Sequence, residues 1–459
     1  MPISVSEAQR EGVLVGILVA ALTMAWAWRP IWNIDLFWHI AAGREIIAHG
    51  IPATDVFSAA DDTRDWVSFQ WGYQVLVAWL DGLGGLGWVR FSHVLALGLA
   101  LGFWSGHHHK TSKCTVSSVL ATLVLLVLFE DRIRFRPHLL ELLFFVILLP
   151  WVRTVRWGPH VAWMLLLAPV WANVHAVSAL WWVVLVAVWA LCLGRLSGWL
   201  VWAGGLVAMA LSPGAIRGVL AAVSSHREWP QEFVPELRGT WAYVGEGWWG
   251  WLVLALVCSG VVSAVVFSRG TSPLSEKLLG VGCALASVLL ARWAWLASVP
   301  IVFLLGVVPG RVKWCASALL VLGLGARAGT RWSWAERFMD IEPGRFPEQA
   351  CDLLEEKGLR LKTDTTGSWA GYLLYRLHPP ATVLADGRLV FSEEVAEILR
   401  RRGQGDASTF DEVAIRYRTE VLVWPAGQLP ALDNDRWKSI YADGVAEVWL
   451  PSFAWKRLD

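Results

Sequence analysis

"WNIDLFWHIAAGREIIAHGIPATDVFS", Trp32–Ser58, follows directly on the first long apolar run of the chain. Asp35 and His39 stand four positions apart, so in a helix they share one face. Beyond them Ile40, Ile46, Ile47 and Ile51 lie among polar positions, as in a helix lying along a membrane surface. What surrounds this stretch decides whether the protein reads as a transporter, a scaffold or a membrane enzyme.

The surroundings are apolar. Of 459 residues 56% are hydrophobic and only 17% charged, and the mean hydropathy is +0.49. A soluble chain of this size needs more polar surface, so the composition is that of a polytopic α-helical membrane protein. With 39 basic and 38 acidic residues there is no electrostatic footprint for nucleic acid. The 33 tryptophans suit a bilayer interface. Six cysteines form no CxxC pair and are expected to behave as small buried hydrophobes, neither a disulfide framework nor a zinc site.

A membrane-crossing helix needs about 20 residues. By that measure candidate spans fall near 11–30, 88–106, 115–130, 138–152, 160–174, 176–193, 199–222, 248–268, 277–290, 293–309 and 314–328, about eleven in all. The N-terminal run lacks a small-residue cleavage motif and reads as an uncleaved first span. Gln70–Gly85 is short and ends in glycines, so it is expected to be an interfacial helix. The short basic loops 107–113, 153–158 and 310–313 then share one side, which the positive-inside rule makes cytoplasmic. His107–His109 are read there as a solvated turn.

These boundaries predict a transmembrane domain over 1–329, with a first outer loop at 31–87, and a small extracytoplasmic α/β domain over 330–459. In the latter, "LRLKTD", "ATVLAD", "EVLVWP" and "VAEVWL" have strand character. "SEEVAEILRRR" and "STFDEVAIRY" have helix character, each opened by a serine N-cap. "ADGRLVF", Ala385–Phe391, reads as a strand-end turn that holds this domain together.

The same topology gathers the unusual polar residues on the outer side. They are Asp35, His39 and Asp55, the arginines of "EDRIRFRPH" (Glu130–His138), Asn173 and His175, Glu236, and Arg292. Ionisable groups at membrane depth are expensive and are usually retained for a substrate or ion path. A carboxylate at Asp35, in a partly desolvated cleft, suits a general base for a hydroxyl or amine; its purely structural role is to cap or bond its own helix. The arginines equally suit pairing with lipid phosphates. A transporter is disfavoured by the lack of an inverted repeat and of matched broken helices.

"IDLFWHIAAGREIIAHGIPATDVFS" and "WVSFQWGYQVLVAWL" closely resemble the first outer loop of bacterial GT-C membrane glycosyltransferases, family 39-like. That group shows D-x-W-W-H-L-x-x-G-x-x-I-x-x-x-G-x-I-P-x-x-D-x-F-S followed by W-x-x-x-x-W. The resemblance continues through "FRPHLLELLFF", "WANVHAVSALWW", "RWAWLASVP" and "TGSWAGYLLYRLHPPATVLADGRLVF". It implies a GT-C-like fold in a bacterial inner membrane, a polyprenyl-phosphate sugar as donor, and inversion at the anomeric carbon. Carried over, Asp35 matches the acidic position and would be the general base or the acceptor-positioning carboxylate, and His39 takes the group's histidine position. Arg134 and Arg136, with Arg292, grip the donor phosphate, and His138, Asn173 and His175 line the substrate site; Asp55 and Glu236 are secondary candidates. The resemblance leaves a divalent metal open and names no metal ligand. Its partners are membrane lipids and the lipid-linked sugar, with an acceptor or a protein partner at the C-terminal domain. The alternative is a GT-C-like membrane subunit or scaffold that does not catalyse.

Overall fold

The computed structural model of the protein describes residues 5–60, 64–214, 216–220, 240–329, 333, 335–359, 362–388 and 390–455. The chain divides into two compact units, Met1–Arg29 with Arg90–Phe338, and Pro30–Val89 with Met339–Asp459. This division is drawn differently from the composition boundary near residue 330, since Pro30–Val89 packs with the C-terminal residues.

The elements begin with α1 (Val5–Ala27), α2 (Asp35–His49), α3 (Trp71–Ser112), α4 (Thr115–Phe129), α5 (His138–Thr154), α6 (His160–Val174), α7 (Leu180–Leu193) and α8 (Leu196–Ala210). Gly247–Arg269, Leu274–Leu289, Ser298–Leu304 and Gly310–Gly329 follow as further apolar helices. Each of the eleven apolar stretches thus contains a helix. Three described helices have the length and hydropathy to cross a membrane, within Gln9–Ala27, Trp71–Ser112 and Thr240–Arg269; others, such as Leu180–Leu193, are shorter. Several boundaries differ from expectation for local reasons. The stretch expected at 176–193 starts as an α-helix only at Leu180, because the Ser178 N–H donates to His175 Nδ1 (3.0 Å) and makes a turn instead. The stretch expected at 199–222 has a turn after Ala210.

In the first unit α5 packs on α7, α8 on α6 and α7, and Gly310–Gly329 on α4. The core is aromatic, with Trp171, Trp182, Trp189, Trp249, Phe129 and Phe145 fully buried. The outward faces are just as apolar: Leu14, Ile17 and Leu18 on α1, Trp163, Leu166 and Val170 on α6, and Leu196, Leu200 and Val207 on α8 are all exposed. Helices apolar on both faces belong in lipid. All six cysteines are free thiols; Cys283 and Cys351 are buried, whereas Cys258 and Cys315 are exposed, against expectation, on these outward faces.

In lipid, burying one more apolar side chain between helices brings little gain, so close backbone approach provides the packing. α1 and α3 show it. A Cβ on Gly102 would lie 2.6 Å from the Gly16 carbonyl oxygen, and one on Gly106 would lie 2.6 Å from that of Gly12. Gly98, Gly102 and Gly106 therefore form one four-residue-spaced ridge against Gly12, Gly16 and Ala20. Replacing Gly102 by Leu is expected to push α1 off α3 and sharply lower the yield of monodisperse, detergent-extracted protein. Gly282→Leu, where a Cβ meets nothing within 4 Å, is expected to behave as wild type; equal yields for the two would refute the close-approach account.

His107–His109, expected as a solvated turn, instead sit on the last turns of α3. His108 and His109 are buried, against Ser118 (3.3 Å) and Glu11 (3.4 Å) respectively. α3 itself breaks at Gly84 and Gly85, where Gly85 takes φ +70°. That break separates Trp71–Leu83 from the rest of the helix.

The second unit is a five-stranded mixed sheet with helices. Its strands are β1 (Lys362–Thr365), β2 (Thr382–Val383), β3 (Val421–Pro425), β4 (Trp437–Ala442) and β5 (Ala446–Pro451), in the order β2-β1-β3-β5-β4. β2, β1 and β3 are parallel; β5 and β4 are antiparallel additions. The four expected strands form. β4 went unseen in the sequence because "WKSIYA" buries only its first residue. Ser392 caps its helix as expected, accepting from the Val395 N–H at 3.1 Å. Ser408 does not cap; its hydroxyl donates to Asp406 Oδ1 (2.6 Å), and Ala407 holds the N-cap position.

The stretch 30–89 is woven into this unit by backbone pairing. The Ile31 N–H donates to Asp340 O (2.8 Å), and Ile31 O accepts from the Glu342 N–H (2.9 Å). Phe57 O and the Ala59 N–H pair with Val383 of β2, each at 2.9 Å. Gly43 of α2 has no room for a side chain, since a Cβ would fall 1.9 Å from Gln74 O. Of the four isoleucines expected on a membrane-facing helix side, Ile40 and Ile46 are buried here; only Ile47 and Ile51 are exposed. The core of this unit outcompetes the surface for the other two.

Candidate functional site

Asp35 is the first residue of α2, near the positive end of the helix, and is 7% exposed. Its N–H donates to Asn33 Oδ1 at 3.2 Å, and its Oδ1 accepts from Trp38 Nε1 at 3.2 Å. His39 is buried, its ring 3.6 Å from that of Trp38 and 4.9 Å, edge-on, from that of Tyr73. Two glycines of the C-terminal residues press on this helix start. A Cβ on Gly387 would lie 2.8 Å from Asp35 Oδ1, and one on Gly371 would lie 2.9 Å from Ile34 O. Both follow parallel strands: Gly371 is in the helix after β1, Gly387 in the turn after β2. The carboxyl edge of parallel strands is where α/β sheets commonly bind ligands.

Asp55 has a different setting. Arg388 Nη1 and Nη2 donate to its two carboxylate oxygens at 2.7 and 3.1 Å, while Arg388 Nε and Nη2 donate to Asp386 Oδ2 at 2.9 and 2.6 Å. The guanidinium also lies over the rings of Phe57 (4.7 Å) and Trp66 (4.9 Å). All three charged side chains are 4% exposed or less. Burial opposes the Arg388 charge, yet Asp386 and Asp55 outweigh it and hold its pKa above the ordinary arginine value. A second tie joins Arg44 Nη2 to Asp81 Oδ2 (2.6 Å), with the Tyr375 hydroxyl donating to Asp81 Oδ1 (3.3 Å). Burial and the Asp81 carboxylate push the Tyr375 hydroxyl up to about 12.

The remaining candidates lie in the first unit, at one common end of its helices. Arg134 and Arg136 are in the α4–α5 connection, His138 opens α5, Asn173 and His175 end α6, and Arg292 begins the 3-10 turn Ala291–Ala297. The structure brings His138 and His175 together, with ring centroids 5.1 Å apart. Asn173 instead bonds within the bundle, donating to Pro169 O (2.8 Å) and Ser212 Oγ (3.2 Å). Glu236 lies outside the described residues.

Arg134 belongs to a small cleft lined by Arg29, His93 and Arg134 together with apolar side chains, among them Val94, Leu97, Phe135 and Leu139. Arg29 Nη1 stands 3.4 Å from Glu130, whose other oxygen is 3.5 Å from Arg327 Nε. Glu130 thus bridges two guanidiniums. The sequence reading missed Arg29, His93 and Glu141. Glu141, one turn into α5 and 3% exposed, has Ser178, Arg132 and Arg292 as its partners. The available signal was a lone acid inside "HLLELLFF", an expensive placement in lipid. Among the described residues no group of three His, Cys, Asp or Glu side chains converges as a metal site.

No family model and no curated protein matches the chain. Solved structures do. The chain is similar to the arabinofuranosyltransferase AftD from Mycobacteria, with a TM-score of 0.56 and 14% identity over 95% of this chain and 39% of that one. It is also similar to ArnT from Cupriavidus metallidurans, solved bound to undecaprenyl phosphate, with a TM-score of 0.51 and 13% identity over 95% of this chain and 97% of that one. The chain spans about two-fifths of the length of AftD. The fold is therefore that of the GT-C membrane glycosyltransferases, a polytopic helical membrane protein with a small C-terminal α/β part.

Proposed function

We infer that this GT-C-fold protein is a membrane glycosyltransferase that moves a sugar from a polyprenyl-phosphate donor to an acceptor hydroxyl or amine. The observation that carries this reading is the cleft of Arg29, His93 and Arg134, which joins two guanidiniums and an imidazole to apolar side chains in one lining. A lipid phosphate has that same division, an anionic head on a hydrocarbon tail, and guanidinium groups suit phosphate oxygens. The undecaprenyl phosphate bound to ArnT makes the same lipid class the natural ligand to test here.

In the reaction, Asp35 accepts the proton of the acceptor as its oxygen or nitrogen attacks the anomeric carbon. The bond from that carbon to the donor phosphate breaks with inversion, and polyprenyl phosphate leaves with the electron pair. The donor phosphate is assigned to Arg29 and Arg134, since guanidinium groups suit its oxygens. Nucleotide sugars are absent outside the cytoplasm, which suits a lipid-linked donor to an enzyme whose N-terminus is cytoplasmic and whose C-terminal part lies outside.

The test uses the full chain in nanodiscs with polyprenyl phosphate and a panel of its sugar conjugates. Arg134→Met is expected to weaken polyprenyl phosphate binding about tenfold or more, the scale of one lost charge-assisted hydrogen bond. Unchanged binding would sink the cleft assignment. Lipid binding by the wild type without turnover of any conjugate would favour a non-catalytic GT-C-like subunit instead.

A further inference from the structure

The Asp35 carboxylate does not stand alone in its unit. Its Oδ1 accepts from Trp38 Nε1, and the same oxygen lies where a Cβ of residue 387 would come, at 2.8 Å. Trp38 Nε1 is next nearest to that position, at 3.3 Å. Gly387 is thus the one residue type that lets the carboxylate and the indole meet. The turn that presents it is anchored on both sides. The Arg388 N–H donates to Asp386 Oδ1 (2.8 Å), and the Arg388 guanidinium binds Asp386 and Asp55 in a buried clamp. Gly371 meanwhile lets the helix Gly367–Leu377 approach Ile34 O and the Trp38 N–H, at the backbone on which Asp35 is mounted.

We propose that the Asp386–Gly387–Arg388 turn is a positioning device for Asp35: Gly387 leaves the space that Oδ1 occupies, Arg388 fixes the turn against Asp55, and Trp38 and Gly387 together hold the carboxylate in one orientation. The proposal rests on the reading of Asp35 as general base. It makes the C-terminal α/β residues part of the catalytic apparatus, where the sequence suggested only a turn that holds their own domain together. It also explains why an aspartate and an arginine flank a glycine so far along the chain from Asp35.

The physical argument separates this role from a merely structural one. A methyl group at residue 387 meets the far end of a short side chain, not backbone, so the fold can yield by moving the carboxylate. Stability is then largely spared, while the base is displaced by the order of an ångström. Misplacement on that scale costs up to about 10²-fold in rate.

Gly387→Ala is therefore expected to lower kcat by about 10–100-fold, with KM for the donor within about twofold of wild type and the melting transition unchanged. In an Asp35→Asn background the same alanine is expected to have no further effect, since no base remains to be displaced. Trp38→Phe removes the indole donor without adding bulk. It serves as the second variant, with the same kcat loss and the same non-additivity expected. Wild-type kcat in both Gly387→Ala and Trp38→Phe overturns the proposal, as does a Gly387→Ala loss that persists undiminished on the Asp35→Asn background. Failure of the underlying function looks different: Asp35→Asn itself then turns over at the wild-type rate.

Discussion

Asp35→Asn is expected to lower release of polyprenyl phosphate by about 10²–10⁴-fold, the range that a positioned general base contributes. Asparagine keeps the shape of the side chain and an oxygen that still accepts from Trp38 Nε1, the bond made at 3.2 Å in the native protein. The helix start, the Gly387 contact and the neighbouring His39 then keep their packing, so the loss falls on proton transfer. Polyprenyl phosphate binding is expected to stay within about twofold, because the cleft of Arg29, His93 and Arg134 is built from other elements. The measurement compares turnover and lipid binding of wild type and variant in the same nanodiscs. A variant that turns over at the wild-type rate removes Asp35 from the chemistry.

Arg388→Leu is expected to destabilise the second unit by about 3–5 kcal/mol, the usual consequence of removing one member of a buried ion pair. Asp55 and Asp386 face this guanidinium with side-chain exposures of 1% and 2%, and leucine leaves both carboxylates in a space shared with Phe57 and Trp66. Lysine is a poor substitute, because a point charge cannot make the forked contacts to two carboxylates. The sign of the pH dependence is simple. The Arg388 pKa is raised on folding, so its contribution is fully present below the ordinary arginine value and is lost only as pH rises through the folded value. The effect is thus constant across the physiological range. Limited proteolysis of the full-length protein against denaturant reads the change, with Arg400→Ala as the comparison, since Arg400 pairs with Glu393 and Glu397 at the surface. A midpoint for Arg388→Leu equal to that of Arg400→Ala would show that the clamp does not hold the unit.

The membrane-embedded part was legible because its signal is local. Apolar runs such as Thr115–Phe129 and Leu180–Leu193 announce themselves whatever they pack against, and Ser392 announces its helix through a bond three residues on. The close approach of α1 and α3 was not read from the sequence, although the glycines four apart at Gly98, Gly102 and Gly106 carry it. β4 was not legible, because "WKSIYA" is exposed over most of its length and shows no buried alternation. Ser408 misled because the neighbouring Asp406 takes its hydroxyl, a competition that residue type alone does not decide.

By itself the sequence determined that this is a helical membrane protein with a polar α/β C-terminal part, and it marked Asp35, the arginines after α4 and His175 as residues that lipid surroundings would not tolerate without cause. Only the tertiary structure decided what those residues touch. Arg388 and Asp55 are 333 positions apart, and Arg44 and Tyr375 are 331 apart, so no periodicity links them. The same holds for Gly387 against Asp35, and for Glu141 with Arg292. Hydropathy and capping act over a turn or two of chain, whereas an ion pair or a missing Cβ acts wherever two segments meet, and that meeting is a property of the packed fold.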